Sequence, residues 1–260
     1  MQIIKTVAEW KIVRDALPHK TTLGFVPTMG CLHAGHASLL LRAKNENQVV
    51  VLSIFVNPTQ FNNPEDFKHY PLTPEHDILL AEEMGVDYLF MPAAEEIYPD
   101  GHTIFMDTKD PLALILEGKH RPGHFSGVLT VVLKLFNILA PTRAYFGEKD
   151  YQQLHLIHKM VKNYFMPIDI IACHTIRANS GLPLSSRNNK LTGPEREMAD
   201  KAIFLFKNAT LGTLLKTIQK IEALGVMVEY LEPYTSYLFC ALKIGSVRLI
   251  DHIKIEEKTC

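Results

Sequence analysis

Cysteine is scarce in this chain of 260 residues: Cys31, Cys173, Cys240 and Cys260 stand far apart, in no Cys-x-x-Cys pair and no dense framework. That excludes a zinc knuckle and a disulfide-stapled scaffold, and it predicts reduced thiols in a cytoplasmic setting. A surplus of one charge is lacking too. Lys plus Arg number 27 against 28 for Asp plus Glu, a net charge of −1 with neutral histidines, so neither a field for nucleic acid nor an acidic disordered chain is indicated. Long apolar runs are missing: residues 49–56 are too few to cross a bilayer, and 128–140 are interrupted by Lys134 and Asn137. Lys5 and Glu9 fall where a secretory core would have to be continuous, so export is not expected.

What is present is ordinary globular composition. Hydrophobic residues make up 47% and charged residues 21%, enough to bury one large core or two modest ones. Strand-like runs at residues 21–28, 48–56, 87–91, 143–146 and 168–174 alternate with helical stretches at 35–45, 74–84, 127–139 and 151–164. The strands are rich in Val, Ile and Phe with almost no polar alternation, which predicts an α/β fold: a doubly wound, Rossmann-like parallel sheet covered on both faces. After Arg177 the texture changes. A Ser/Asn/Gly/Pro-rich connector at 178–189 is followed by helical segments near 194–207 and 211–224, then strands near 227–231, 237–243 and 248–255. This predicts a first domain over 1–177 and a smaller α+β domain over 178–260.

Ligands of doubly wound sheets collect beyond the carboxyl ends of the strands. Here those exits read Met29-Gly30-Cys31-Leu32-His33-Ala34-Gly35-His36, Asn57-Pro58-Thr59-Gln60, Gly147-Glu148-Lys149-Asp150-Tyr151-Gln152-Gln153 and Ile176-Arg177. His33 and His36, three apart where a strand gives way to a helix, can face one side and present Nε2–H groups to phosphate oxygens, near backbone N–H groups that favour anions. They could instead share a zinc, but no third ligand lies nearby, or simply cap the helix. Lys149 can reach a phosphate as a flexible point charge, or belong to a solvated Glu-Lys-Asp cluster. Gln60 and Gln153 carry both donors and acceptors suited to a small hydroxy acid. Leu184-Ser185-Ser186-Arg187-Asn188 offers two hydroxyls and a guanidinium fork, in a stretch that also reads as a linker. Together these residues describe a mononucleotide site.

Five motifs in order, the one from Met29 to His36, Phe55-Val56-Asn57-Pro58-x-Gln60-Phe61, Arg121-Pro122-Gly123-His124-Phe125, Phe146-Gly147-Glu148-Lys149-Asp150-x-Gln152-Gln153 and Leu184-Ser185-Ser186-Arg187-Asn188, make the chain resemble the pantothenate synthetase (pantoate–β-alanine ligase) family, within the nucleotidylyl-transferase superfamily. The resemblance is dense from residue 1 to Arg187 and resumes at Arg248-Leu249-Ile250-Asp251. It implies a ligase that joins pantoate to AMP from ATP, releasing pyrophosphate, and then passes the acyl group to β-alanine. By the same resemblance His36, His33, Lys149 and Arg187 would act in catalysis. Residues 29–36, Gly147, Glu148, Lys149, Asp150, Ile176, Leu184, Ser185, Ser186 and Arg187 would bind ATP. Gln60, Gln153 and Asn57 would hold pantoate, with β-alanine beside Gln60. Mg2+ would arrive with the ATP phosphates, with no protein metal ligand assigned, and a cytoplasmic homodimer is implied.

Three departures stand out: no acid in Arg177-Ala178-Asn179-Ser180-Gly181, Leu72 where the family often has arginine, and a shorter second domain. Asp77, flanked by His76 and with Leu80 following, reads as an exposed helix acid rather than a magnesium ligand. The residues leave other functions open, namely a different adenylyl transferase with a dinucleotide product or a non-catalytic nucleotide-binding regulator. A tRNA-charging enzyme fits less well, for want of a basic domain.

Overall fold

The computed structural model describes residues 1–255; Cys31, Cys173 and Cys240 are buried and form no disulfide among them, and Cys260 lies outside them. The chain divides into two compact units, residues 1–148 with 152–173, and residues 149–151 with 174 onward.

The first unit runs β1 (Gln2–Ile4), α1 (Val7–Ala16), β2 (Leu23–Thr28), α2 (Ala34–Glu46), β3 (Val49–Ile54), α3 (Pro64–Lys68), α4 (Pro74–Glu83), β4 (Tyr88–Phe90), α5 (Ala94–Ile97), α6 (Glu117–His120), α7 (His124–Leu139), β5 (Arg143–Gly147), α8 (Tyr151–Asn163) and β6 (Asp169–Cys173). Its six strands are all parallel, in the order β1-β4-β3-β2-β5-β6. The winding reverses between β2 and β5, and such a switch point opens a crevice at the strands' carboxyl ends. β2 pairs with β3 from Leu23↔Val49 through Thr28↔Ile54, but with β5 only at Gly24↔Arg143 and Phe25↔Ala144 among the described residues. Beyond that point the two strands no longer share a ladder, and the crevice begins there.

The absence of polar alternation has a direct cause. Successive residues of a strand face opposite sides. Phe25 joins Trp10, Phe136 and Phe146 on one face, while Val26 joins Leu40, Leu52, Leu89 and Tyr145 on the other, so both parities must be apolar. β1 and α1 went unread in the sequence. β1 has three residues at the sheet edge, and α1 buries Trp10 alone, so neither carries a strong periodic signal, although Thr6 and Glu9 form a capping box.

The second unit contains α9 (Gly193–Lys207), α10 (Leu214–Glu222) and an antiparallel sheet of β7 (Met227–Tyr234), β8 (Tyr237–Ile244) and β9 (Val247–Lys254). It is the expected smaller α+β region. Ile203 and Phe206 of α9, Ile221 of α10 and Leu242 of β8 are fully buried in one cluster. The stretch expected as one helix from 211 begins as a 3-10 turn at Leu211–Thr213 before α10 takes over.

Candidate active site

The exit from β2 is held by side chains rather than left open. The Thr28 hydroxyl donates to the Ser53 carbonyl at 2.8 Å and accepts the Gly30 N–H at 3.2 Å. Gly30 (φ +81°) and Cys31 (φ +51°) are both left-handed, a conformation glycine adopts freely and cysteine adopts at a cost. The N–H groups of Cys31 and Leu32 then donate to the two carboxylate oxygens of Asp77, at 2.8 and 2.7 Å. Asp77 lies in the first turn of α4, and it is 1% exposed. The expectation of an exposed helix acid is therefore wrong. A buried carboxylate needs donors, and two peptide N–H groups plus the Thr73 hydroxyl at 3.0 Å supply them. Nothing within α4 reveals partners that come from the distant β2–α2 turn.

His33 is the N-cap of α2, so the helix starts where both imidazoles can share a face. The His33 Nδ1 accepts the Gly35 N–H at 3.1 Å, and the His36 Nδ1 accepts the His33 N–H at 3.3 Å. The rings lie 4.1 Å apart between centroids. This is a capping box made of imidazoles. A ring nitrogen that accepts cannot carry a proton, so each neutral ring bears its proton on Nε2 and is a donor there. The capping reading and the donor reading are thus compatible. The N–H groups of Gly30, Cys31, Leu32, His33 and Gly35, in contrast, are all engaged within the protein.

The exit from β3 is built around Asn57, which is 1% exposed. Its Oδ1 accepts from the Tyr98 hydroxyl at 2.8 Å and the Thr59 hydroxyl at 3.0 Å, and its Nδ2 donates to Gln60 Oε1 at 2.9 Å and to the Gly127 carbonyl at 3.2 Å. Burial pushes the Tyr98 hydroxyl above its ordinary pKa and the Thr59 bond offsets part of this, so Tyr98 keeps its proton for Asn57. Asn57, expected to touch pantoate, spends these bonds inside the protein. Gln60, half-buried, donates through Nε2 to the Met29 sulfur at 3.4 Å, which joins the β2 and β3 exits.

Arg121 and His124, whose roles the sequence left undefined, both reach the backbone carbonyl of Gln60. The His124 ring Nδ1 lies 2.9 Å from it and an Arg121 guanidinium nitrogen 3.4 Å. A carbonyl only accepts, so both are donors. Gly127, one turn further along α7, packs so closely that a Cβ there would sit 2.5 Å from the Thr59 carbonyl oxygen. The adjacent glutamines divide their work. Gln152 is buried and binds the Glu117 N–H and the Leu112 and Ile115 carbonyls, whereas Gln153 is half-buried in the first turn of α8.

Other predicted residues belong to the second unit. Lys149 is paired with Asp150 at 3.3 Å, its side chain 19% exposed. Leu184 N–H donates to the Ile176 carbonyl at 3.0 Å, and Ser185 caps a 3-10 turn over Ser186–Lys190 by accepting the Arg187 N–H at 3.3 Å. The supposed linker is therefore an ordered turn, anchored by a two-pronged Arg177–Asp251 pair at 2.6 and 2.7 Å. Gly147 and Glu148 stay with the first unit.

No group of three or more His, Cys, Asp or Glu side chains among the described residues can hold a metal ion. Mg2+ requires an octahedron of oxygens. Around Asp77 both carboxylate oxygens already accept N–H groups, His76 offers nitrogen, and Leu80 offers nothing. These residues do not fit a protein-built magnesium site.

A doubly wound sheet with an imidazole pair at the start of the helix after the strand beside its switch point defines an α/β protein whose candidate site lies at the carboxyl ends of the strands. The family model for pantoate-beta-alanine ligase matches residues 2–254. A pantothenate synthetase of Legionella pneumophila (strain Corby) is 52% identical over 97% of this chain and 99% of its own length. One from Francisella tularensis subsp. novicida is 48% identical, covering 97% of each. The crystal structure of pantoate-beta-alanine ligase from Francisella tularensis, complexed with beta-gamma ATP and beta-alanine, superposes with a TM-score of 0.96 at 47% identity, over 98% of this chain and 97% of that one. The pantothenate synthetase of Thermus thermophilus gives 0.86 at 38% identity over 98% and 99%. The chain belongs to the pantoate-beta-alanine ligase family, and it is an enzyme. The expected shortening of the second domain does not set it apart from the Legionella relative, which is matched over 99% of its length.

Proposed function

We infer that this chain catalyses the ATP-dependent condensation of pantoate with β-alanine to give pantothenate, AMP and pyrophosphate, by way of pantoyl adenylate. The observation that carries the reading is the imidazole pair: two rings fixed with Nδ1 as acceptor, each with a proton on Nε2, at the start of the helix after β2. A pantoate carboxylate oxygen attacks the α-phosphorus and pyrophosphate leaves. Negative charge grows on the phosphate oxygens in that transition state, and donors fixed in advance stabilise it most there. His33 and His36 are the proposed donors, with His36 serving the leaving group, and Lys149 and Arg187 add positive charge. The β-alanine nitrogen then attacks the acyl carbon, the C–O bond to AMP breaks, and the nitrogen loses a proton. Gln60 and Gln153 hold the pantoate hydroxyls and carboxyl group, with Asn57 acting through Gln60. Met29 to Gly35, Gly147, Glu148, Asp150, Ile176, Leu184, Ser185 and Ser186 complete the nucleotide site. Mg2+ enters as part of the MgATP substrate.

We assign ATP and pantoate binding to residues 1–177 and a lid role to 178–260, protecting an acyl adenylate from water. The same proposal makes the protein a cytoplasmic homodimer acting on small molecules; a net charge of −1 supports no nucleic-acid partner, and no helix among the described residues is long and apolar enough to cross a membrane. Sedimentation at micromolar concentration reads the dimer. The decisive experiment is pantoate-dependent exchange of labelled pyrophosphate into ATP without β-alanine. Exchange is expected; folded protein that supports none overturns the adenylate mechanism.

A further inference from the structure

One buried acid beside the β2 exit has no task in the reaction just described. Asp77 is 1% exposed and accepts the Cys31 N–H, the Leu32 N–H and the Thr73 hydroxyl at 2.8, 2.7 and 3.0 Å. The turn that it grips contains two consecutive left-handed residues, one of them the non-glycine Cys31. Such a turn aims neighbouring N–H groups at one point and forms a small anion seat. In this protein the seat is occupied by an internal carboxylate. Gly30 is what permits the approach, since a Cβ at that position would stand 3.0 Å from Asp77 Oδ2 and its φ of +81° disfavours any other residue.

We propose that Asp77 is a positioning residue: its carboxylate fixes the Gly30–Leu32 turn from α4, and thereby sets where His33 enters α2 and where the two imidazoles point. The proposal rests on the reading of His33 and His36 as phosphate donors. It assigns Asp77 no metal. The carboxylate already accepts three hydrogen bonds from its own chain, and the neighbouring His76 and Leu80 supply no oxygen toward the octahedron that Mg2+ requires. The strain at Cys31 is sustained by these bonds, so loss of the carboxylate frees the turn and displaces the catalytic donors.

Measurements on the full chain test this. In the wild type, the Asp77 side-chain carboxyl carbon signal is followed by NMR during titration with MgCl2 alone, and no saturable shift is expected. In Asp77→Asn, turnover is expected to fall on the order of tenfold or more, the half-saturating free Mg2+ to stay within about twofold, and hydrogen exchange at the Cys31 and Leu32 amides to accelerate selectively. If that variant does not fold, Thr73→Val, which removes one donor, is expected to show the same pattern more weakly. A saturable Mg2+ shift at Asp77, or a Mg2+ requirement raised on the order of tenfold with the two amides still protected, overturns the proposal. The exchange assay on wild-type protein separates the two failures: exchange present together with a metal-binding Asp77 defeats this inference alone, and exchange absent defeats the ligase mechanism beneath it.

Discussion

At the scale of single residues, the imidazole pair combines two functions that the sequence presents as rivals. A ring that caps a helix through Nδ1 is obliged to carry its proton on Nε2, so capping selects the tautomer that donation requires. His36→Ala is therefore expected to lower turnover on the order of a hundredfold while circular dichroism and melting temperature change little. Lys149→Ala is expected to do the same; wild-type rates in either variant, measured by pyrophosphate release, would remove that residue from the mechanism. His36→Gln is the sharper probe, since an amide preserves a polar group but not the ring geometry. The placement of these residues at strand exits was legible in the sequence, because the strands stand out by their apolar runs. Asp77 was not legible: its partners are peptide N–H groups of a distant turn, and peptide groups leave no mark in a pattern of side chains.

Among elements, the segment that leads into α7 acts on the β3 exit through one carbonyl. Arg121 and His124 both donate to the Gln60 backbone oxygen, and Gly127 permits the helix to press against Thr59. His124→Ala is expected to raise the KM for pantoate on the order of tenfold with a smaller effect on the KM for ATP, because it loosens the backbone that carries the Gln60 amide. Gly127→Ala should act in the same direction, as its new methyl must push Thr59 away. Steady-state kinetics with each substrate varied in turn checks both, and equal effects on the two substrates would count against a local role. Elements also explain the pH response. The Asp110 carboxyl is held below its ordinary pKa chiefly by Lys159 of α8, helped by the Leu112 N–H and opposed by burial. A depressed carboxyl stabilises the fold above its unfolded value, about pH 4, and the contribution disappears as pH falls through the lower folded value. Urea midpoints of Asp110→Asn should therefore depend less on pH in this acid window than those of the parent chain.

For the molecule as a whole, hydrophobic patterning revealed the winding of the sheet because both strand faces are buried, and it revealed the separate α+β texture after Arg177. It missed β1, whose three residues are ordered by pairing with β4, and it took the 178–189 stretch for a linker because the bonds that order it leave no hydrophobic period: Asn188 Nδ2 donates to the Pro183 carbonyl, the Arg187 N–H to the Ser185 hydroxyl, and the Ser180 hydroxyl to Asp200 of α9. The Arg177–Asp251 pair shows what holds that stretch. The Asp251 side chain is wholly buried, and both of its oxygens face the Arg177 fork. Arg177→Ala leaves this charge without its partner and is expected to cost about 3–5 kcal/mol, read from chemical denaturation, whereas replacing both residues by apolar ones of similar volume should cost less.

The carboxylate lodged beneath the β2–α2 junction also bears on inhibitor chemistry. In many phosphate-binding proteins the peptide amides of such a junction are the natural grip for an anionic warhead. Here Gly30, Cys31 and Leu32 have been claimed already, so an added sulfonate or phosphonate aimed at them would meet a resident negative charge. Selective compounds for this protein should instead present their acceptors to the imidazole edge.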